Sequence, residues 1–232
     1  MIVDALPEVG ATVRLRPDEA SHVRARRLAA GDPVLLLDGT GRCAAGRVVR
    51  RTRTETLVEV SRMIDAAPGL PSVGLYVAAL RAERLSWLVE KATELGAACV
   101  TIVESERTQS FRATAGLLPR LDRVAREAAK QCERLDWPRI EGPVAFERAL
   151  EAEESAERFL LDPAGDLFPR SVRGEAAALA VGPEGGWTDA ERSDASNRGW
   201  KIVSLPAGRL RAETAAIGAL LLLRASFEAG KR

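Results

Sequence analysis

One stretch limits what this chain can fold into more than any other. From Leu179 to Ala219 it reads apolar run, glycine loop, helical pattern, apolar run, second glycine loop, helical pattern. The first loop is Gly182-Pro183-Glu184-Gly185-Gly186, followed by Trp187-Thr188-Asp189-Ala190-Glu191. The second runs from Ser204 through Leu205, Pro206, Ala207, Gly208, Arg209, Leu210 and Arg211 to Glu213-Thr214-Ala215. Each follows a short apolar run, Ala176 to Val181 and Trp200 to Val203. Loops after strands in an α/β sheet lie along the edge where ligands bind. Three glycines in five residues let the backbone turn sharply and approach a ligand closely. Both loops open helices, so each has free backbone N–H groups.

The chain before that stretch divides at Ala66 to Ser72, where Pro68, Gly69 and Pro71 mark a linker. Ahead of it, short alternating runs at Thr12 to Leu15, Val34 to Leu37, Gly46 to Val49 and Leu57 to Val60 predict strands. With one helix over Pro17 to Leu28 they suggest a small β-barrel. After the linker, strands and helices alternate, which argues for α/β with parallel strands. Val73 to Leu80 and Cys99 to Val103 read as strands. Glu83 to Leu95 and Leu117 to Arg134 read as helices, with Leu85, Leu88, Val89, Ala92 and Leu95 on one face of the first. Pro138 to Pro143 reads as an edge segment and Phe146 to Glu154 as a helix. Arg158 to Leu161 reads as a strand ending at Asp162-Pro163. The expected division is residues 1–68 and residues 72–232.

Composition removes several function classes. Net charge is +1, so nothing favours nucleic acid globally and any RNA contact must rest on local patches. Arg24, Arg26 and Arg27 form one patch and Arg47, Arg50, Arg51 and Arg53 another. Either is a solvated face or a phosphate contact. A single histidine, His22, rules out a histidine-based metal cluster within one chain, and no metal is expected. Cys43, Cys99 and Cys132 lie far apart with no CxxC spacing, which suggests a reducing compartment. The longest apolar run, Ala215 to Leu223, is too short to span a membrane, and no secretory signal is visible. A cytoplasmic location and no membrane partner are the expectations. The phosphate-binding patterns GxxxxGK[ST] and GxGxxG are absent, and Glu184 in the first loop would repel phosphate.

GPEGGWTDAE, followed about twenty residues later by SLPAGRLRAETAA, resembles the signature of the RsmE family. Its members are methyltransferases of the knotted SPOUT class that modify N3 of a uridine in small-subunit (16S) ribosomal RNA. Three more stretches are similar to the family in the same order. They are Arg84 to Gly96 with Ser105-Glu106-Arg107, then Glu127 to Arg134 (its EAxxQxxR helix), and His22 to Leu28 with Gly31-Asp32. In one place the chain departs. The family's second loop has glycine directly after leucine, then proline and arginine, whereas here Pro206-Ala207 intervene and glycine and arginine stand at 208 and 209.

The resemblance implies a PUA-like RNA-binding β-barrel, then a SPOUT-type α/β domain ending in a trefoil knot. It also implies S-adenosyl-L-methionine as methyl donor, 16S rRNA or the small ribosomal subunit as partner, and a homodimer through the C-terminal domain. Cofactor binding is expected at Leu161, Gly182, Glu184, Gly185, Gly186, Leu205, Gly208, Leu210 and Arg211. Arg211, Glu213 and Glu184 are the catalytic candidates. Read from the residues alone, Glu184 could simply cap nearby amides. Glu213 could simply suit the first turn of a helix. His22, Arg24, Arg26, Arg27, Arg51, Glu127, Gln131 and Arg134 are the RNA-binding candidates. Glu127, Gln131 and Arg134, spaced i, i+4, i+7, share a helix face that is either internally hydrogen-bonded or turned to RNA. Two alternatives stay open: a non-catalytic RNA-binding protein, and a SPOUT-class RNA methyltransferase with another target nucleotide.

Overall fold

A computed structural model of the chain describes residues 1–64, 70–108 and 115–230. Most of the expected linker at Ala66 to Ser72 lies outside the described residues. The chain forms two units, Met1–Gly69 with Ala129–Asp136, and Leu70–Ala128 with Trp137–Arg232.

The first unit contains β1 (Thr12–Arg14), α1 (Pro17–Ala25), β2 (Pro33–Leu37), β3 (Cys43–Arg51) and β4 (Thr56–Ile64). The four strands form one antiparallel sheet in the order β1-β4-β3-β2. Its inward side chains alternate along the strands, as period-2 geometry requires. Val48, Val58 and Val60 pack with Leu15, Ala20, Val23 and Leu36 into a buried cluster. Glu19 of α1 is buried and accepts a hydrogen bond from Lys130 at 2.8 Å, an ion pair within this unit.

The second unit contains β5 (Ser72–Ala78), α2 (Ala82–Glu94), β6 (Cys99–Glu104), most of α3 (Leu117–Gln131), β7 (Arg139–Ala145) and α4 (Phe146–Ala152). Then come β8 (Glu157–Leu167), β9 (Ala176–Val181), α5 (Asp189–Asn197), β10 (Lys201–Ser204) and α6 (Ala212–Gly230). Its six strands are all parallel, in the order β10-β8-β9-β5-β6-β7. The chain is therefore mixed α/β, with a parallel sheet and an antiparallel sheet. Helices cover both faces of the parallel sheet, which is why its strands are continuous apolar runs rather than alternating ones. On one face Leu85, Leu88, Leu121, Leu220, Leu223 and Phe227 share a cluster with Val73, Leu75 and Leu179. On the other, Phe146, Leu150, Trp187, Ala195 and Trp200 pack on Leu160, Ala178 and Ala180. Among the described residues no helix is long and apolar enough to cross a membrane.

Two expected boundaries are corrected. The strand predicted to stop at Leu161 runs on as β8 to Leu167. Its register against β10 jumps, Leu160 lying opposite Ile202 and Asp166 opposite Val203, so residues 161–165 bow away from β10 while Leu161 still pairs with Val181 of β9. Gly165 makes the re-entry feasible, because a Cβ there would stand 2.6 Å from the Ile202 carbonyl carbon. The helix predicted to reach Arg134 ends at Gln131. Glu133 takes a left-handed φ of 57°, and the Arg134 N–H donates to the Ala129 carbonyl, closing the helix end.

Candidate functional site

The first glycine loop follows β9 and is held from several sides. The Gly186 N–H donates to the Pro183 carbonyl at 2.9 Å, closing a tight turn, and Gly186 itself sits at φ 70°, which only glycine adopts without strain. Trp187 then turns inward. It is buried, stacks on Phe146 with ring centroids 4.1 Å apart, and donates from its indole N–H to the Leu161 carbonyl at 3.0 Å. Gly182 is needed for that indole, because a Cβ there would come within 2.8 Å of the ring. Thr188 caps α5 through a capping box with Glu191. The other Glu191 oxygen accepts from the Glu106 N–H at 2.9 Å. Arg107 donates to the Gly185 carbonyl at 3.0 Å and the Trp187 carbonyl at 3.3 Å. The Ser105 to Thr108 loop after β6 thus fastens the glycine loop from one side. From the other, Arg192 of α5 reaches the buried Asp162 carboxylate at 3.1 Å in the segment that bows out of β8.

The second loop follows β10 and has few ties of its own. Ala207 N–H donates to the Leu205 carbonyl at 2.8 Å, and Arg209 reaches the Glu184 carbonyl at 3.4 Å. Pro206 to Arg211 are exposed. Among the described residues, no heavy atom beyond the two adjoining residues lies within 4 Å of where a Cβ on Gly208 would stand.

The two loops and the bowed segment of β8 enclose a cavity of about 630 Å³. Of the residues expected to hold a cofactor, Leu161, Gly182, Glu184, Gly185, Gly186, Leu205, Gly208 and Leu210 line it; Arg211 does not. Its wall also includes Arg107, which the motif reading named without a role, and Asp162 and Arg192, to which it gave none. Glu184 and Glu213 meet at Arg84 of α2. Arg84 forks onto Glu213, Nε to Oε1 at 2.9 Å and Nη2 to Oε2 at 2.5 Å, and sends Nη1 to Glu184 Oε1 at 2.6 Å. Burial pushes the Glu213 carboxyl up. The hydrogen bonds from Arg84 and from its own backbone N–H, with the charges of Arg84 and Arg211, outweigh burial and hold it below the ordinary carboxylate range. The Arg84 guanidinium is raised in turn, by Glu213 first, against its own burial. Glu213 does not line the cavity.

The RNA-binding candidates fall elsewhere. Arg24, Arg26 and Arg27 are exposed at the end of α1 and just after it, His22 is half-buried on α1, and Arg51 is exposed at the end of β3. Among the described residues Arg26, Arg27 and Arg51 form no ion pair, while Arg24 donates to Ser21 Oγ at 2.5 Å. Glu127 and Gln131 are exposed on α3. Arg134 lies beyond the helix end with its guanidinium on Asp136 at 2.5 Å, so the three do not form one helical strip. Arg84 was visible as part of a helix motif, but nothing in the sequence spacing, 100 residues from Glu184, revealed its partners.

Residues 68–224 match the model of the RNA methyltransferase domain family. A ribosomal RNA small subunit methyltransferase E of Mycobacterium bovis is 31% identical over 243 residues, covering 98% of this chain and 92% of the relative. One from Synechocystis sp. is 30% identical over 230 residues, covering 95% of this chain and 75% of the relative. A Legionella pneumophila protein described as a methyltransferase, solved with the cofactor SAM bound, superposes with a TM-score of 0.88 at 26% identity, over 97% of this chain and 96% of that one. By its domain match and by these relatives, the chain belongs to the ribosomal RNA small subunit methyltransferase E family.

Proposed function

We propose that the chain moves a methyl group from S-adenosylmethionine to small-subunit (16S) ribosomal RNA, with N3 of one uridine as acceptor. The observation that carries this reading is the cavity shared by both glycine loops, in a chain of this family. Its size falls in the range of small-molecule sites, about 300–1,000 Å³. Its walls suit the donor: Leu161, Val181, Leu205 and Leu210 offer apolar surface for a flat, neutral adenine, and the glycines expose main chain. The space beside Gly208 admits close approach of a ligand to the backbone. Leu161, Gly182, Gly185, Gly186, Leu205, Gly208 and Leu210 would hold the donor. When bound, it supplies an electrophilic methyl group on a sulfonium centre. The chain's own task is to align the acceptor and to manage the acceptor's proton. Uridine N3 carries a proton and lies on the pairing edge, so the base enters unpaired or flipped.

The remaining assignments belong to the same proposal. The four-stranded sheet with α1 serves as a PUA-like barrel that contacts RNA through Arg24, Arg26, Arg27 and Arg51, whose exposed guanidinium groups can replace counterions on phosphates. The second unit is a SPOUT domain with a trefoil knot. In support, β10 lies outside β8 at the sheet edge while α6, next in the chain, packs back on α2, β5 and β9. General topology disfavours such threading, so the assignment is a sharp one. A second copy of the chain covers α2 and α6, where Trp87, Leu221 and Leu222 stand exposed. The compartment is the cytoplasm, where the three free cysteines stay reduced.

Mass mapping of ribosomal RNA from cells with and without the protein tests the activity, and one methyl group on a small-subunit uridine is the expected difference. Calorimetry should give binding of S-adenosylmethionine and none of ATP. The reverse would favour a phosphate-binding enzyme, and binding of RNA alone a non-catalytic module.

A further inference from the structure

The two carboxylates tied to Arg84 are not equivalent. Glu213 has both oxygens engaged by the guanidinium, its side chain is 11% exposed, and it does not line the cavity. Glu184 lines the cavity, its side chain is 57% exposed, and Arg84 engages only Oε1. Its Oε2 carries no hydrogen bond among the described residues. A carboxylate whose two oxygens are both held by a guanidinium fork is stabilised as the anion and is a weaker base. One held by a single oxygen is oriented and still has lone pairs to offer. Resting on the methyl-transfer reading, we propose that Glu184 takes the proton from the acceptor base, that Glu213 stays a fixed counter-ion, and that Arg84 is the positioning residue that enforces the division. The acceptor N–H bond breaks, its electron pair remains on nitrogen, an O–H bond forms at Glu184 Oε2, and water then removes that proton.

The arrangement explains why three separate elements converge on one guanidinium. Arg84 comes from the first turn of α2, Glu184 from the loop after β9, and Glu213 from the first turn of α6. Lysine in place of Arg84 keeps the charge but cannot present the planar fork to Glu213 while reaching Glu184. The other charged groups near Glu184 are Arg209, which reaches its backbone carbonyl, and Arg107, behind Gly185. Arg211 acts on Glu213.

The first measurement needs no RNA. Protein labelled with carbon-13 at glutamate carboxyls is titrated as wild type, Glu184→Gln, Glu213→Gln and Arg84→Met, the two glutamine variants assigning the signals. Glu213 should titrate below the ordinary carboxylate range and move up in Arg84→Met. A Glu213 midpoint that stays put there overturns the role given to Arg84. The second measurement is donor affinity with rate against pH. Glu184→Gln should bind S-adenosylmethionine within about threefold of wild type while kcat falls about 10²–10⁴-fold, the usual contribution of a positioned acid or base. Glu213→Gln should lose far less, and Arg84→Lys should lie between wild type and Arg84→Met with an altered acid limb. A loss in Glu213→Gln equal to that in Glu184→Gln, at unchanged melting temperature, overturns the assignment of the base. If Arg84→Met does not fold, Arg84→Lys serves in both arms. If wild type neither binds donor nor methylates RNA, the parent reading fails, and the titration still decides the role of Arg84.

Discussion

The two glycine loops that wall the cavity are held in opposite ways. The first is tied by an indole hydrogen bond, a ring stack, a capping box and Arg107 from the loop after β6. The second, between Leu205 and Arg211, has one internal turn and one long contact from Arg209 to the first. Local stability follows packing and protected hydrogen bonds, so the first loop is a fixed floor and the second a lip whose order depends on what it covers. A ligand should therefore act mainly on the second loop, and damage to the first should register in the whole domain.

Trp187→Ala gives the largest test. It removes a buried ring, its stack and its hydrogen bond at once, and substitutions of that kind cost about 3–5 kcal/mol. Thermal unfolding should drop steeply and donor binding should vanish with it. A variant that melts normally would show that the first loop is not the floor.

Next in size is the joint between the loops. Arg84→Met leaves Glu213 partly buried without its partner, at about 1–3 kcal/mol by the usual cost of an unsatisfied group. Its pH dependence has a definite sign. The folded Glu213 carboxyl titrates below its unfolded value, so the pair's contribution is complete above the ordinary carboxylate pKa. It is lost as pH falls through the folded one. The stability gap between Arg84→Met and wild type should be widest near neutral pH and close in acid. A gap that does not change with pH would mean that the arginine acts through packing of its stem.

Much of this was legible in the residues, for physical reasons that differ by element. The apolar run Ala176 to Val181 is a strand buried on both faces, and a loop of three glycines after it could only be a turn at the sheet's edge. Leu85, Leu88, Val89 and Ala92 declared their helix by spacing, and all are buried as one face. The bow at residues 161–165 was not legible, because a strand that parts from β10 and rejoins it is set by that neighbour and not by local pattern. The end of α3 was misread because Glu133 adopts a left-handed turn that glycine usually signals. The Arg84 joint was hidden most completely, since it depends on α2, a loop and α6 meeting in space.

Within the first loop, Gly186→Ala isolates the turn from the tryptophan. Alanine at φ 70° costs about 1–2 kcal/mol from the contact between Cβ and the following carbonyl. Among the described residues nothing beyond the adjoining ones lies within 4 Å of the new methyl, so strain dominates the effect. The melting temperature should fall by a few degrees, at about 2–4 °C per kcal/mol for a protein of this size. An unchanged value would mean that the turn relaxes freely and the floor is softer than its hydrogen bonds imply.

Gly208→Ala is the smallest change to stability and the most selective. Its backbone is not in the left-handed region and its added methyl meets nothing, so the free protein should melt within about 0.5 kcal/mol of wild type, as surface substitutions do. The methyl would nevertheless occupy the space in which a ligand approaches the second loop. Donor affinity should weaken several-fold in calorimetry with no matching loss of stability. That separation is what a lip requires: its contacts are made with the ligand and not with the protein. If Gly208→Ala lowers stability and affinity together, the second loop is braced in the free protein after all, and the asymmetry between the loops disappears.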